Sequence, residues 1–279
     1  MRHIEVSFAT ENNDQHEMLI AMLDQIEYEG YEESEKCLKA FIKETLFEQS
    51  LLDEVATTLN CVFQLKFIEE ENWNANWESS FEPILLLHPE TKNPFAFIRA
   101  SFHQPSTQVI HDLIITPKMS FGTGHHATTF QMMEQMSLLD FNGTNVIDFG
   151  TGTGLLAILA EKMGASSIEA IDNDDWSINN AIENIEANHC SSIKIIKADI
   201  CQPESIAKAD IILANINLNI ILANLDSIIN CGKSGTTVLF SGILVEDEET
   251  ICLSLKSKSL NIKSISSKNN WLLINCSII

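Results

Sequence analysis

The sequence predicts an α/β protein: a Rossmann-like, seven-stranded, mostly parallel sheet preceded by a small α+β domain of ferredoxin-like order. Three observations predict it. From about residue 116 onward short apolar runs alternate with amphipathic stretches, as in repeated βα units. Residues 144–154 read TNVIDFGTGTG, an apolar strand entering a loop with Gly150, Gly152 and Gly154, and the apolar helix LLAILAEKMGA follows. Residues 1–69 carry a different pattern, in which a period of two gives way to a helical period and back.

In the first 69 residues Ile4, Val6 and Phe8 alternate as in a half-buried strand. Asn13 suits a helix cap, and Met18, Leu19, Met22, Leu23 and Ile26 share one helical face behind it. Residues 28–31 and 38–42 read as two short strands, 47–59 as a second amphipathic helix and 62–68 as a last strand. The order β-α-β-β-α-β is that of a ferredoxin-like sandwich. Residues 70–82, EEENWNANWESSF, place Trp73, Trp77 and Phe81 on one helical face and are expected to form a linker helix. A β-rich lead-in at 84–115 opens the remaining unit, 83–279. Its strands are expected at 145–149, 167–171, 193–197, 210–214 and 236–240, with helices between. The segments 260–265 and 271–276 lie too close to enclose a helix, so they should pair antiparallel at the sheet edge.

The net charge is −22, and residues 1–80 hold 18 acids against five bases. Direct nucleic-acid binding by that end is disfavoured, because phosphate contact needs a basic surface. An acidic module suits a basic partner, and it equally serves solubility. The seven cysteines contain no C-x-x-C; Cys231, Cys252 and Cys276 sit in apolar runs and read as buried free thiols of a reducing compartment. No apolar run reaches the ~18 residues of a membrane span, and the first residues hold no apolar signal core, so a cytoplasmic protein is expected.

Glycines at 150, 152 and 154 let the backbone approach a ligand. The loop opens a helix whose free N–H groups favour polar or anionic ligand atoms. Asp172 ends the next apolar run, 18 residues after Gly154, where a carboxylate can accept hydrogen bonds from both hydroxyls of a ribose. Leu155 stands where a dinucleotide site wants its third glycine, and the Lys-Ser/Thr ending of a P-loop is absent. The short G-x-G-x-G form resembles the first motif of class I S-adenosylmethionine-dependent methyltransferases.

Two further motifs stand out. MSFGTGHHATTF, 119–130, joins a glycine turn (Gly122, Gly124) to His125, His126 and a helix start at Thr128 and Thr129. Those hydroxyls fit a helix cap, or else a ligand carboxylate. Adjacent histidines cannot readily share an ion, so no metal site is expected and surface or packing roles fit better. ADIILANIN, 209–217, ends in Asn215, at the rim where such sheets bind ligands; its carbonyl oxygen can accept from an amine N–H, and a helix cap is the other reading. SGILVEDEET, 241–250, follows the fifth strand, with Gly242 permitting a sharp turn near the same rim.

Together FGTGHHATT, VIDFGTGTG, IDND, ANIN, SGILVEDE and the tryptophan-containing NWNANWESSFEPI resemble the PrmA family, methyltransferases of ribosomal large-subunit protein eleven. The resemblance implies S-adenosylmethionine as cofactor and transfer of methyl groups to lysine ε-amino groups and an N-terminal α-amino group of that basic protein. It implies cofactor contacts at Thr129, Gly150, Asp172 and Asn215, with Gly152 and Gly154 completing the loop, and a catalytic positioning role for Asn215. A substrate-recognition role falls to residues 1–69 and a monomer acting without nucleic acid or membrane is expected. The chain departs from the family where His125 and Ala127 flank His126 in place of Thr and Pro, and where Thr151 replaces a frequent Cys. A methyltransferase of another protein or small molecule, and a non-catalytic adaptor that keeps the cofactor fold, are the alternatives.

Overall fold

A computed structural model describes the chain except residues 1–2, 11–12, 35, 69–80, 117, 119, 200–207 and 259 and the side chains of 13, 14 and 68. It divides into two compact units, residues 1–76 and 77–279.

The first unit contains β1 (His3–Ala9), α1 (Asn13–Leu23), β2 (Tyr31–Ser34), β3 (Cys37–Lys43), α2 (Gln49–Thr58) and β4 (Phe63–Ile68). Its sheet runs β2-β3-β1-β4 with every neighbour antiparallel, the ferredoxin-like arrangement. Every second residue of β1 and β3 is buried, so Ile4, Val6, Phe8, Leu38, Ala40 and Ile42 meet Leu19, Leu23, Leu52 and Val55 of the helices. Three local expectations need correction. The second strand begins at Tyr31, not 28, because Glu27 and Gly30 adopt positive φ (67° and 76°) and turn the chain while Tyr28 drops into the core. The helix starts at Asn13 itself. Met18 is 57% exposed. The buried stripe of α1 is instead His16, Leu19 and Leu23, at i, i+3 and i+7, with His16 held by the Thr10 hydroxyl at 2.6 Å.

The expected linker helix at 70–82, with Trp73 and Trp77, lies outside the described residues except for Phe81 and Glu82, which are not helical.

The second unit opens with β5 (Ile84–Leu87), β6 (Pro94–Arg99) and β7 (His111–Ile114), a three-stranded sheet antiparallel between the first pair and parallel between the second. Buried Arg99 grips Asp112 through Nε and Nη2, at 3.0 and 2.8 Å, and so locks β6 to β7. Then follow α3 (Ala127–Met136), β8 (Asn145–Phe149), α4 (Leu155–Lys162), β9 (Ser167–Asp172), α5 (Asp175–Ala187), β10 (Ile193–Lys197), β11 (Ala209–Asn215), α6 (Leu218–Asn230), β12 (Gly232–Leu244), α7 (Glu248–Ser257), β13 (Leu260–Lys268) and β14 (Trp271–Ile278).

The seven strands run β10-β9-β8-β11-β12-β14-β13, parallel through β12 and antiparallel in the last two pairs. Strand alternation sends Val146, Ile168, Leu213 and Leu239 to one face, against α3, α4 and the lead-in sheet. It sends Ile147, Phe149, Ile212, Ala214, Val238 and Phe240 to the other, against α6 and α7. Strand order reverses between β8 and β11, so a crevice opens at their carboxyl ends. Among the described residues no helix is long and apolar enough to cross a membrane. Cys37, Cys61, Cys190, Cys252 and Cys276 are free thiols, and Cys252, expected in the core, is only half-buried on α7.

Candidate active site

The loop after β8 is shaped by positive φ at Gly150, Gly152 and Gly154 (67°, 54° and 79°). Two of these glycines are also forced by contact: a Cβ on Gly150 would lie 2.3 Å from Ile216 Cγ2, and one on Gly152 would lie 2.3 Å from the Phe121 carbonyl oxygen. The Gly150 and Thr151 N–H groups donate to the Ile171 carbonyl, so the loop is tied to the end of β9. Asp172 accepts from the Gly152 N–H at 2.9 Å through Oδ2 and from the Asp174 N–H at 3.1 Å through Oδ1. The acid and the middle of the glycine loop are therefore one hydrogen-bonded unit, with Asp172 still partly exposed to the crevice.

The 119–130 segment crosses this loop. The Thr153 N–H donates to Phe121 O at 3.0 Å, and the Thr153 hydroxyl donates to Gly122 O at 2.7 Å. The capping expectation for Thr128 and Thr129 is corrected: His126 is the N-cap residue of α3, its ring accepting from the Thr128 N–H. The imidazole does this work because Nδ1 also reaches the Thr128 hydroxyl at 2.8 Å. Both threonines are buried in the first turn. His126 packs edge-on against Trp271, while exposed His125 meets the buried Phe81 ring and reaches the Glu82 carbonyl at 2.9 Å.

Asn215 ends β11 one strand away from the loop. It does not cap α6; Asn217 does, accepting from the Ile220 N–H at 3.0 Å. Asn215 is only 9% exposed, and its Nδ2 donates to the Thr129 hydroxyl at 3.2 Å. Its Oδ1 is buried and has no hydrogen-bond partner among the described residues. Gly242, at φ +82°, supports this rim from below, since a Cβ there would come within 2.4 Å of the Ile216 carbonyl oxygen. The structure thus gathers Thr129, Gly150, Gly152, Asp172 and Asn215 around one crevice, with Gly154 at the start of α4 against Ala181. Among the described residues no cluster of metal-ligating side chains occurs.

Several residues here escaped the sequence reading. Asp148, at the end of β8, is 1% exposed; its Oδ2 accepts from the Thr151 hydroxyl at 2.6 Å, and its Oδ1 has no hydrogen-bond partner among the described residues. Burial above all pushes its carboxyl up to about 7, and Asp172 adds to this against the pull of the Thr151 hydroxyl and the Ala157 N–H. Asn184 of α5 and Asn188, which caps its C-terminus, are buried. Asn184 donates to Thr153 O at 2.8 Å and accepts from Thr116 N–H at 2.8 Å; Asn188 brackets Ile114 with bonds of 2.9 and 2.6 Å. They clamp the lead-in strand to the glycine loop, and their i, i+4 spacing was the available signal.

The raised Asp148 carboxyl has a stability consequence. An unfolded aspartate ionises near 4. From there up to about 7 the folded form keeps a proton that the unfolded form has lost, so this group's contribution turns against folding as pH rises. Asp148→Asn should therefore stabilise the ligand-free protein above pH 7 by about 4 kcal/mol, raising its melting temperature there, and give no gain below pH 4. Thermal melts across pH check this; a gain independent of pH would refute the titration.

The chain is similar to known proteins. A family model described as "Ribosomal protein L11 methyltransferase (PrmA)" matches residues 4–278. A protein of that name from Phocaeicola vulgatus is 33% identical over 97% of each chain, and one from Chlorobaculum parvum is 37% identical over 97% of this chain and 94% of its own. The crystal structure of a ribosomal protein L11 methylase from Lactobacillus delbrueckii subsp. bulgaricus superposes with a TM-score of 0.59 at 29% identity, covering 66% of this chain and 94% of its own. With the family model spanning nearly its whole length, the chain belongs to the ribosomal protein L11 methyltransferase family.

Proposed function

We propose that this protein moves methyl groups from S-adenosylmethionine to amines of ribosomal protein L11, at lysine ε-amino groups and the N-terminal α-amino group. The observation that carries the reading is the buried, unpartnered Oδ1 of Asn215 beside the glycine loop. A buried acceptor without a donor is costly, and an incoming amine N–H would satisfy it.

The residues present fit such a cofactor. Asp172 would accept from ribose hydroxyls, Gly150, Gly152 and Gly154 would offer backbone at close range, and Thr129 and Asn215 would border the reacting end. The partly exposed Asp172 carboxylate at the crevice suits a ligand carrying positive charge. When bound, the sulfonium supplies an already activated methyl group. The chain's own task is to align the amine. The Thr129 hydroxyl holds the Asn215 amide by its NH2 group, which leaves Oδ1 to accept an amine N–H and to aim the nitrogen lone pair along the line of transfer. A lysine ammonium, with an unperturbed pKa of about 10.4, cannot attack, so the crevice must favour the neutral form by desolvation.

Recognition of the basic substrate is assigned to residues 1–69. Exposed Glu32, Glu33, Glu44, Glu48, Asp53 and Glu54 give this unit a surface that attracts a basic protein and repels a phosphate backbone. The free thiols fit a reducing compartment, in keeping with a cytoplasmic enzyme.

Mass spectrometry of ribosomal protein L11 incubated with the protein and S-adenosylmethionine is expected to show gains in steps of about 14 Da, one methylene each. Removal of residues 1–69 should abolish the gain while calorimetric cofactor binding survives. Full methylation by the shortened chain would remove the recognition role from these residues.

A further inference from the structure

The far edge of the seven-stranded sheet carries a groove that takes no part in the site described above. It lies between α7 and β13, has a volume of about 660 Å3, and is floored by Val245, Cys252, Ile262 and Ile265. β13 is the outermost strand, so the groove is open along one side. A bulge makes its floor apolar. Ile262 pairs with Cys276 and Ser264 with Asn275, which leaves Lys263 as the extra residue. Ile262 and Ile265, three apart, therefore oppose Cys276 and Ile274 and share the face toward α7. In an unbroken strand that odd spacing would send them to opposite faces. Ile265 is left 38% exposed there.

The walls are acidic. Glu246, Glu248 and Glu249, from the SGILVEDEET motif, line the groove, are exposed, and form no ion pair among the described residues. Lys256, in the last turn of α7, is the one base among the lining residues. Glu248 and Glu249 complement the start of α7, but Glu246 precedes the helix, and the helix does not account for an exposed apolar floor. The Cys252 thiol is pushed up by burial and then by the Glu248 carboxylate, so the charge bears directly on that floor. The acidic end lies at the same rim as the crevice. β12 reaches the rim at Leu244, which pairs with Trp271, and Val245 and Glu246 follow at once. β13 stands three strand spacings from the strand of Asn215, about 14 Å. A chain extended at about 3.4 Å per residue needs at least about four residues to cover that distance.

We propose that this groove is a docking site, remote from the chemistry, for an extended basic segment of ribosomal protein L11: an apolar side chain of the segment covers Ile262 and Ile265, and lysines or arginines beside it pair with Glu246, Glu248 and Glu249. The inference rests on the function proposed above. Charge complementarity chooses the occupant. Three carboxylates without counter-ions around an apolar floor repel a phosphate backbone, and they repel a second copy of this chain, whose net charge is −22. A basic segment neutralises the walls and shields the floor from water. Held there, the substrate keeps its amines at high local concentration near the crevice without touching the reacting atoms.

The test uses the full chain with ribosomal protein L11. The triple variant Glu246→Gln, Glu248→Gln, Glu249→Gln removes the charge from exposed positions and leaves the fold intact. It should raise KM for ribosomal protein L11 roughly tenfold, with kcat within about twofold of the parent. The dissociation constant of S-adenosylmethionine should stay within about twofold as well, because the groove is remote from its contacts. The KM of the parent should climb more steeply with salt than that of the variant. Ile265→Ser should raise KM in the same way with the charges in place. A lysine tripeptide, too short to reach the groove, should be methylated equally by all three proteins. Unchanged KM for ribosomal protein L11 in both variants would overturn the proposal, and so would an equal loss toward the tripeptide. If the parent binds cofactor but leaves ribosomal protein L11 untouched, the substrate reading fails by itself. The groove is then decided by fluorescence anisotropy with a labelled peptide of alternating lysine and leucine: saturable binding that both variants weaken supports it, and no binding, or equal binding by the variants, overturns it.

Discussion

Asn215→Ala is expected to cut kcat about 100-fold while S-adenosylmethionine affinity changes little. The side chain's amide donates to Thr129 and its oxygen is left for the amine, so its removal misplaces the nucleophile more than the methyl donor. Misplacement of a reacting group by about 1 Å is enough for a loss of this order. Thr129→Val offers a check on the same unit, since it leaves Asn215 present but free to rotate, and a smaller loss in kcat should follow. Steady-state rates and calorimetry measured together decide the matter. Equal losses in rate and affinity for Asn215→Ala would move the residue from amine positioning to cofactor binding.

Asp172→Ala should weaken S-adenosylmethionine binding by about 100-fold. A hydrogen bond to a charged group contributes about 1.5–3 kcal/mol, so losing two ribose contacts amounts to about 3 kcal/mol, or two powers of ten in affinity. The carboxylate also accepts from the Gly152 and Asp174 N–H groups, so its loss loosens the loop as well. Asp172→Asn separates the two effects. Its carbonyl oxygen still accepts from Gly152, so the loop is kept while a ribose acceptor becomes a donor. An unchanged dissociation constant in Asp172→Ala would refute the ribose role outright.

Much of this architecture was legible because it depends on local spacing. The alternation Ile4, Val6, Phe8 has only one reading in a half-buried strand, and the glycines at 150, 152 and 154 announce positive φ whatever surrounds them. Asp172 and Asn215 were legible as strand ends. What escaped depends on contacts distant in sequence. Asp148 reads as one more strand-end acid, and only burial under the loop makes it unusual. Asn184 and Asn188 read as the wet side of a helix until β7 is laid against them. A histidine cap at α3 is not legible in the sequence because serine, threonine, aspartate and asparagine are the ordinary caps, and two threonines stand close by to meet that preference. The second strand of the first unit slipped by three residues because Tyr28 carries strand propensity but packs as a turn residue.

The strand order β12-β14-β13 has a consequence for how the chain acquires its shape. β13 has one neighbour, and that neighbour is made after it. Until β14 slots in between, β13 has nothing to pair with and β12 presents a bare edge of unpaired N–H and C=O groups, the kind of surface on which growing chains stick to one another. Closure of the sheet is therefore a late step that zips two strands at once. The same step delivers Trp271 to the rim, so the crevice is completed only when the sheet is.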